Sequence, residues 1–181
     1  KKSGKFVYSY SDYIMMQESY FISSSADAIW LNPTSMFYFQ GLSAEVTFYR
    51  KALEKMGVDV QVIRHGKFKG AVEPYMLDKM SDENRLQITA YVGSIWSHAI
   101  KVISEARGVP EARLMQLADS LAGYDLALMT SEGLIDGTLY RDQMEDSIRS
   151  AAGIDEGKKI NYVSMTRYSK VPAKDIKLAG K

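Results

Sequence analysis

The sequence predicts an α/β fold, because short apolar strand-like runs alternate with segments of helical periodicity. Its 181 residues and 46% hydrophobic content are enough for one domain with a substantial core. Twelve tyrosines and ten methionines argue against disorder. Glycine and proline residues separate the periodic segments and so mark the boundaries between the predicted elements.

The first predicted elements lie within residues 5–39. Asp12 is placed to cap a helix, and Asn32-Pro33 ends a short apolar run. The predicted elements are a strand over residues 5–11, a helix over 13–24, a buried strand over 27–31 and a strand over 36–39.

The middle of the chain carries a helical pattern followed by an alternating one. Ser43 begins a predicted helix that runs to about Met56 and ends at Gly57. Its expected inward residues are Val46, Tyr49, Leu53 and Met56. Residues 58–64 alternate and predict a strand, whereas residues 66–74 fit neither period.

The second half is predicted to be mainly helical. Ser81 is a favourable N-cap, and the helix that it begins should run to about Ala106. The apolar stripe of this helix is Ile88, Val92, Ile95, Ala99 and Val102. Later predicted elements are helices over residues 111–121, 124–131 and 138–151, a turn over 133–137 and a last strand over 162–165.

Composition excludes several classes of site. A net charge of +1 gives no reason to expect a nucleic-acid partner, and the lysine-rich end after Lys170 is interpreted as a solvated tail. The absence of cysteine excludes disulfides, thiolate metal sites and cysteine nucleophiles. His65 and His98 are too few for a three-histidine zinc site. We expect His65 to be structural or exposed and His98 to be a core or boundary residue.

No apolar run approaches the roughly 20 residues that span a bilayer, and no signal peptide is visible. The chain opens at Lys1-Lys2-Ser3-Gly4, without a methionine, and passes almost at once into a strand-like run. We therefore expect it to be a piece of a longer protein.

Lys69 is the main candidate for chemistry. It follows a predicted strand and is succeeded by Gly70, Ala71 and Val72, a small and apolar surrounding. A lysine acts as a general base only when its amine is neutral, which requires its pKa to fall from about 10.4. Residue types alone still favour a surface lysine in a turn.

The run Phe68-Lys69-Gly70-Ala71-Val72-Glu73-Pro74-Tyr75 resembles the catalytic-lysine segment of the signal peptide peptidase A (protease IV) family. Upstream, Ala26-Asp27-Ala28-Ile29-Trp30-Leu31-Asn32-Pro33 resembles the strand that follows the family's nucleophile. Downstream, Asp78-Lys79-Met80-Ser81 and the turn Gly133-Leu134-Ile135-Asp136 also have counterparts. The similarity extends roughly from Gly4 to Ala152.

The resemblance implies a Clp protease/crotonase-like fold of repeated strand-strand-helix units, truncated at the N-terminus. Residues 1–152 would form part of an N-terminal, lysine-bearing peptidase domain, and residues 153–181 an extension or linker toward a second domain. The family's nucleophilic serine precedes Gly-Gly-Tyr at a helix start. Gln17 falls on that position here, and Ser19 lies two positions too late.

The resemblance further implies a Ser/Lys-dyad endopeptidase in which Lys69 is the general base and a second domain supplies the serine. Its substrates would be remnant signal peptides, and it would need no cofactor or metal. The parent protein would be anchored in the bacterial cytoplasmic membrane with its catalytic domain extracytoplasmic, and the fragment itself soluble and inactive. Homo-oligomerisation is also implied. Because a fragment without its partner domain should expose apolar surface, we expect the contacts to use Met36, Phe37, Tyr38 and Phe39, with the Tyr13–Tyr20 helix beside them.

Two alternatives remain open. A crotonase-type acyl-CoA enzyme would use glutamates, and Glu73 and Glu18 are the carboxylates that could serve. A non-catalytic assembly domain of the same fold is the other alternative. Glu73 is expected to have a structural role, either orienting the lysine segment or pairing with a lysine.

Overall fold

The computed structural model describes residues 4–63, 69–155 and 157–172. The chain divides into two compact units, one formed by residues 1–40 and 103–181 and the other by residues 41–102. The strands are β1 (Tyr8–Ser11), β2 (Ile14–Met15), β3 (Ala28–Leu31), β4 (Met36–Phe37) and β5 (Gly137–Thr138). The helices are α1 (Gln17–Ser23), α2 (Arg50–Lys55), α3 (Glu73–Met76), α4 (Asp82–Arg107), α5 (Glu111–Asp119), α6 (Leu126–Ser131), α7 (Arg141–Ala152) and α8 (Met165–Tyr168).

The first unit contains two small parallel sheets. One sheet has the order β1-β3-β5, in which Tyr8 pairs with Ala28 and Trp30 with Gly137. The other joins β2 to β4. Parallel strands and helices together confirm the predicted mixed α/β class, while the repetition of strand-strand-helix units stays a prediction.

Strand β3 is central and its inward side chains are buried. Ile29 and Leu31 are fully buried, because β3 has a strand on each side and its side chains alternate across the sheet. Asp136 extends the pairing, since its backbone N–H donates to the Ile29 carbonyl and its carboxylate accepts from the Ile29 N–H, both at 2.8 Å. The predicted strand over residues 27–31 is therefore confirmed.

Three aromatic rings form the centre of the first unit's core. The ring of Tyr20 lies 4.7 Å from that of Phe37 and 5.9 Å from that of Phe39, between ring centroids. All three side chains are buried. The expectation that Phe37 and Phe39 form an exposed association face is wrong, because both rings are used in the chain's own core.

The predicted helix over residues 13–24 is partly wrong. Ile14 and Met15 instead form β2, and the helix begins at Gln17. Met15 is buried while Ile14 is half exposed, which is the alternation expected of a strand. The partner of this strand, β4, lies about 20 residues further along the chain. A two-residue strand is too short to show a period in the sequence.

The first part of the second unit also departs from prediction. Only Arg50–Lys55 is helical, and Tyr49 and Met56, expected to face inward, are exposed. The Tyr49 N–H donates to the Pro74 carbonyl at 2.7 Å, so this segment pairs with the chain at the start of α3. Residues 58–63 form no strand, and residue 64, the end of that prediction, lies outside the described residues.

Helix α4 agrees with prediction at both ends. The Ser81 hydroxyl accepts a hydrogen bond from the Asn84 N–H at 3.2 Å, which is the interaction of an N-cap. The predicted stripe is less buried than expected: Ile95 is 42% exposed, whereas Ile100 and Ile103 are fully buried. The apolar face of α4 is therefore only partly covered.

Helices α5, α6 and α7 lie where the sequence places them, each with slightly different ends. The predicted strand over residues 162–165 is wrong. Ser164 instead caps α8, and its hydroxyl accepts from the Arg167 N–H at 3.3 Å. Across the described ranges, none of the helices combines the length and apolar character needed to cross a membrane.

Candidate active site

Lys69 stands immediately before a single 3-10 turn, Gly70–Val72, which leads directly into α3. Its backbone has φ −115° and ψ 54°, and its side chain is exposed. Helical structure therefore begins at the residue that follows the predicted base. Lys67 and Phe68, the first residues of the sequence pattern, lie outside the described residues, and so does His65.

Glu73 is buried and anchors this segment to the start of α4. Only 1% of the residue is exposed, and its carboxylate accepts from the Ser81 backbone N–H at 3.1 Å and the Ser81 hydroxyl at 2.5 Å. The Asn84 side-chain amide donates to Oε2 at 2.9 Å. A carboxylate is stable in such a position when several donors replace its water, as they do here. This arrangement agrees with the structural role expected for Glu73.

Gly70 allows the lysine segment to approach α4 closely. A Cβ atom at Gly70 would lie 2.3 Å from Oδ1 of Asn84, far inside contact distance. Asn84 is 7% exposed and already bound to Glu73, so its side chain has little freedom to move away. The residue that follows Lys69 is thus restricted to glycine by packing.

Gln17, the residue that the resemblance aligns with the family's nucleophile, is the first residue of α1. Its side-chain oxygen accepts from the Gln40 N–H at 3.3 Å. Ser19 lies within the same helix and is exposed. The side chain of Gln17 is an amide, and an amide cannot act as the nucleophile of acyl transfer.

Comparison with known proteins identifies the family. The profile of peptidase family S49 matches residues 1–155, which is most of the chain. The chain belongs to peptidase family S49. Protease 4 of Haemophilus influenzae is 27% identical over 175 residues, covering 93% of this chain and 28% of the relative.

Two further relatives cover different shares of this S49 chain. The chloroplastic serine protease SPPA of Arabidopsis thaliana is 26% identical over 180 residues, which is 99% of the chain and 26% of the relative. Protease 4 of Salmonella typhi is 30% identical over 105 residues, 58% of the chain and 17% of the relative. The chain thus spans about a quarter, or less, of the length of the curated relatives it matches.

Asn84 is the residue beside the Lys69 segment that the sequence analysis missed. A signal for it existed, because Asn84, Ile88 and Val92 are spaced by four and share one face of α4. A polar residue on an otherwise apolar stripe indicates a buried hydrogen-bond partner. Glu73, eleven residues earlier, is that partner.

His98 lies on α4 and is exposed, so the expectation of a core or boundary histidine is wrong. Among residues 4–63, 69–155 and 157–172, histidine, aspartate and glutamate side chains form no group of three that could hold a metal ion.

Proposed function

We propose that the chain is part of a Ser/Lys-dyad peptidase and that Lys69 is its general base. The observation that supports this most directly is the anchoring of the lysine segment. Gly70 packs against Asn84, and Glu73 is hydrogen-bonded to both Ser81 and Asn84. A lysine amine ends a flexible four-carbon chain, and precise proton transfer requires at least its backbone to be held in place.

In the proposed reaction, the neutral Lys69 amine accepts the proton of a serine hydroxyl as the hydroxyl oxygen attacks the peptide carbonyl. The resulting ammonium gives that proton to the leaving amine, and an acyl-enzyme ester forms. Lys69 then accepts a proton from water as the water oxygen attacks the ester carbonyl, and it returns that proton to the serine oxygen as the ester C–O bond breaks and the carboxylic acid is released. Each proton that Lys69 accepts is therefore passed on in the following step, without a metal or cofactor.

The serine of this dyad would come from a second domain of a longer protein. Gln17 stands at the helix start where the resemblance places the nucleophile, so this chain does not supply it. The curated relatives are several times longer than the chain, which leaves room in them for a second domain.

Remnant signal peptides in the bacterial cytoplasmic membrane are the substrates that we propose. The parent protein would be membrane-anchored with an extracytoplasmic catalytic domain. Two observations support this proposal: the resemblance of the Lys69 segment to signal peptide peptidase A, and membership of family S49. The names of the relatives, Protease 4 and serine protease SPPA, agree with peptide hydrolysis.

The crotonase-type alternative is disfavoured by the position of Glu73. A glutamate that serves an acyl-CoA substrate must reach it, whereas Glu73 is almost fully buried and bound to Ser81 and Asn84. Glu18, the other candidate, is exposed on α1.

The test uses a form of the protein that includes the serine-bearing domain. Lys69→Ala should lower kcat/KM for a fluorogenic peptide by at least the roughly 10²–10⁴-fold that one general base contributes. Lys67→Ala is the matched control and should retain activity, because the same charge is removed two residues away. Equal losses from both substitutions would mean that the segment binds substrate by charge and that Lys69 is not a specific base.

A further inference from the structure

A groove of about 350 Å³ runs along α4 within the second unit. One wall is the helix face that carries Arg85, Ile88, Val92 and Trp96, and the other includes Leu42, Ser43 and Ala44. Arg85 adjoins Asn84, the residue against which Gly70 packs. The groove therefore extends along α4 from Arg85 to Trp96.

The dimensions and lining of the groove fit a short extended chain. From Arg85 to Trp96 the helix rises about 16 Å at roughly 1.5 Å per residue. An extended peptide covers that length with about five residues at roughly 3.3 Å each. Ile88, Val92 and Trp96 present apolar surface along this distance, so the side chains of the occupant should be apolar.

Arg85 supplies a charge at one end of the groove. It is the lining residue that carries a formal charge, and within the described ranges it forms no ion pair. Asp82 and Glu83 lie in the same helical turn without pairing to it. A guanidinium beside an apolar channel complements a carboxylate at the end of an apolar chain.

The opposite wall favours a peptide over a fatty acid. The backbone of Leu42, Ser43 and Ala44 makes no hydrogen bond to any described residue, and this segment belongs to neither helix nor strand. Free main-chain donors and acceptors beside a groove are what an extended peptide uses for recognition. A hydrocarbon chain would leave them unused.

We propose that this groove binds the carboxyl-terminal end of an apolar peptide. The terminal carboxylate pairs with Arg85, and the preceding side chains, about four or five of them at extended spacing, lie along Ile88, Val92 and Trp96. The backbone of residues 42–44 hydrogen-bonds to the peptide. The link between this groove and hydrolysis rests on the proposed function, whereas peptide binding itself does not.

Binding can be measured on the chain by the fluorescence of Trp96 in a Trp30→Phe background, since the chain has two tryptophans. The probe is the acetylated hexapeptide Ala-Leu-Ala-Val-Leu-Ala with a free carboxyl end, compared with its carboxyl-terminal amide. The acid should bind about fivefold more tightly, as expected for one charge-assisted contact at a partly exposed site. Arg85→Gln should remove that difference, and Lys79→Gln, which removes a charge outside the groove, should preserve it.

A second variant blocks the groove without disturbing the fold. A Cβ atom at Gly93 would meet nothing within 4 Å, so Gly93→Leu places a side chain in open space within the groove. It should weaken peptide binding at least tenfold, whereas Ser97→Leu, outside the lining, should not. Equal affinity for acid and amide, unchanged binding by Gly93→Leu, absence of measurable binding, or tighter binding of decanoate than of the peptide would each overturn the proposal. Peptide binding to the groove does not require Lys69. The activity of Lys69→Ala therefore tests the proposed function, and the binding measurements test the groove.

Discussion

The side-chain amide of Asn84 donates a 2.9 Å hydrogen bond to the buried carboxylate of Glu73, while its oxygen lies against Gly70. One side chain at the start of α4 thus contacts the lysine segment both one and four residues after Lys69.

Gly70→Ala should destabilise the second unit by about 1–3 kcal/mol, because the new methyl group clashes with a side chain that is already hydrogen-bonded. Asn84→Ala should cost about 1–3 kcal/mol by itself, since it removes a donor from a buried carboxylate. The double variant should lower the free energy of unfolding by less than the sum of the two single changes, because the smaller side chain at position 84 makes room for the methyl group at position 70. Urea denaturation followed by Trp96 fluorescence measures these changes.

Gly93→Ala is the control for that cycle. Its methyl group meets no neighbour, and alanine is the better helix former by about 1 kcal/mol. It should therefore leave stability unchanged or raise it. Strict additivity of Gly70→Ala and Asn84→Ala would contradict the close packing of the two residues.

The chain alone should not react with a serine-directed fluorophosphonate. The resemblance places Gln17 at the nucleophile position, and Ser19 is exposed on α1 two positions later. An isolated serine hydroxyl without a positioned base is a weak nucleophile. Mass spectrometry after labelling is the measurement, and a modified Ser19 would show that the nucleophile has been misplaced.

Alkaline pH should destabilise the first unit through Tyr20. Burial raises the pKa of Tyr20 above its ordinary value of 10.0, so the folded state keeps the hydroxyl proton that the unfolded state loses. The contribution of Tyr20 to the free energy of unfolding is present in full below about pH 10, and it is lost as the pH rises toward the pKa of the folded state. Tyr20→Phe should cost about 1–2 kcal/mol at neutral pH, because the Leu134 carbonyl loses its 2.8 Å hydrogen bond.

The difference in unfolding free energy between the natural chain and Tyr20→Phe should therefore shrink between about pH 9 and pH 11, where the unfolded tyrosine ionises. Tyr162→Phe, at a residue that is 63% exposed, is the matched control and should show no such trend. A constant difference across this range for Tyr20→Phe would indicate that Tyr20 ionises as readily when folded as when unfolded.

Self-association should use the exposed residues of β2 and β4, since Phe37 and Phe39 are not available. Ile14 and Met36 are register partners and are 50% and 47% exposed. Exposed apolar side chains that adjoin in this way are a common basis of homo-oligomer contacts. Light scattering at micromolar concentration should show a species larger than a monomer, which Ile14→Glu should abolish and Val58→Glu, in the second unit, should not. A monomer in the natural chain would contradict this prediction.

Sequence patterns were sufficient where a feature is local. The serine cap and length of α4 follow from residues within one helix, and β3 follows from a short apolar run bounded by Asn32-Pro33. The Lys69 segment was found by its resemblance to a known motif. Its role as a base is a proposal, because the packing and hydrogen bonds that hold this segment are made by Gly70 and Glu73, which follow Lys69 in the chain.

Patterns failed where tertiary contacts override periodicity. Residues 43–49 have helical spacing, yet Tyr49 bonds to Pro74 and the helix begins only at Arg50. Strands β2 and β5 have two residues each, too few for any period to appear. Gly70 and Asn84 are distant in the sequence, so their contact depends on the turn between α3 and α4, which neither residue type reveals.

The sheet order β1-β3-β5 has a consequence for the order in which the chain can fold during synthesis. Strand β3 ends at Leu31, but its second neighbour begins at Gly137, so more than 100 residues separate the two pairing edges. Until the ribosome has released residues 134–139, β3 has one open edge and the Tyr20 hydroxyl lacks its Leu134 acceptor. We expect the early strands to remain dependent on chaperones for that interval, because an unpaired strand edge is prone to aggregate. Formation of the turn around Asp136 is then the step that completes the three-stranded sheet of the first unit.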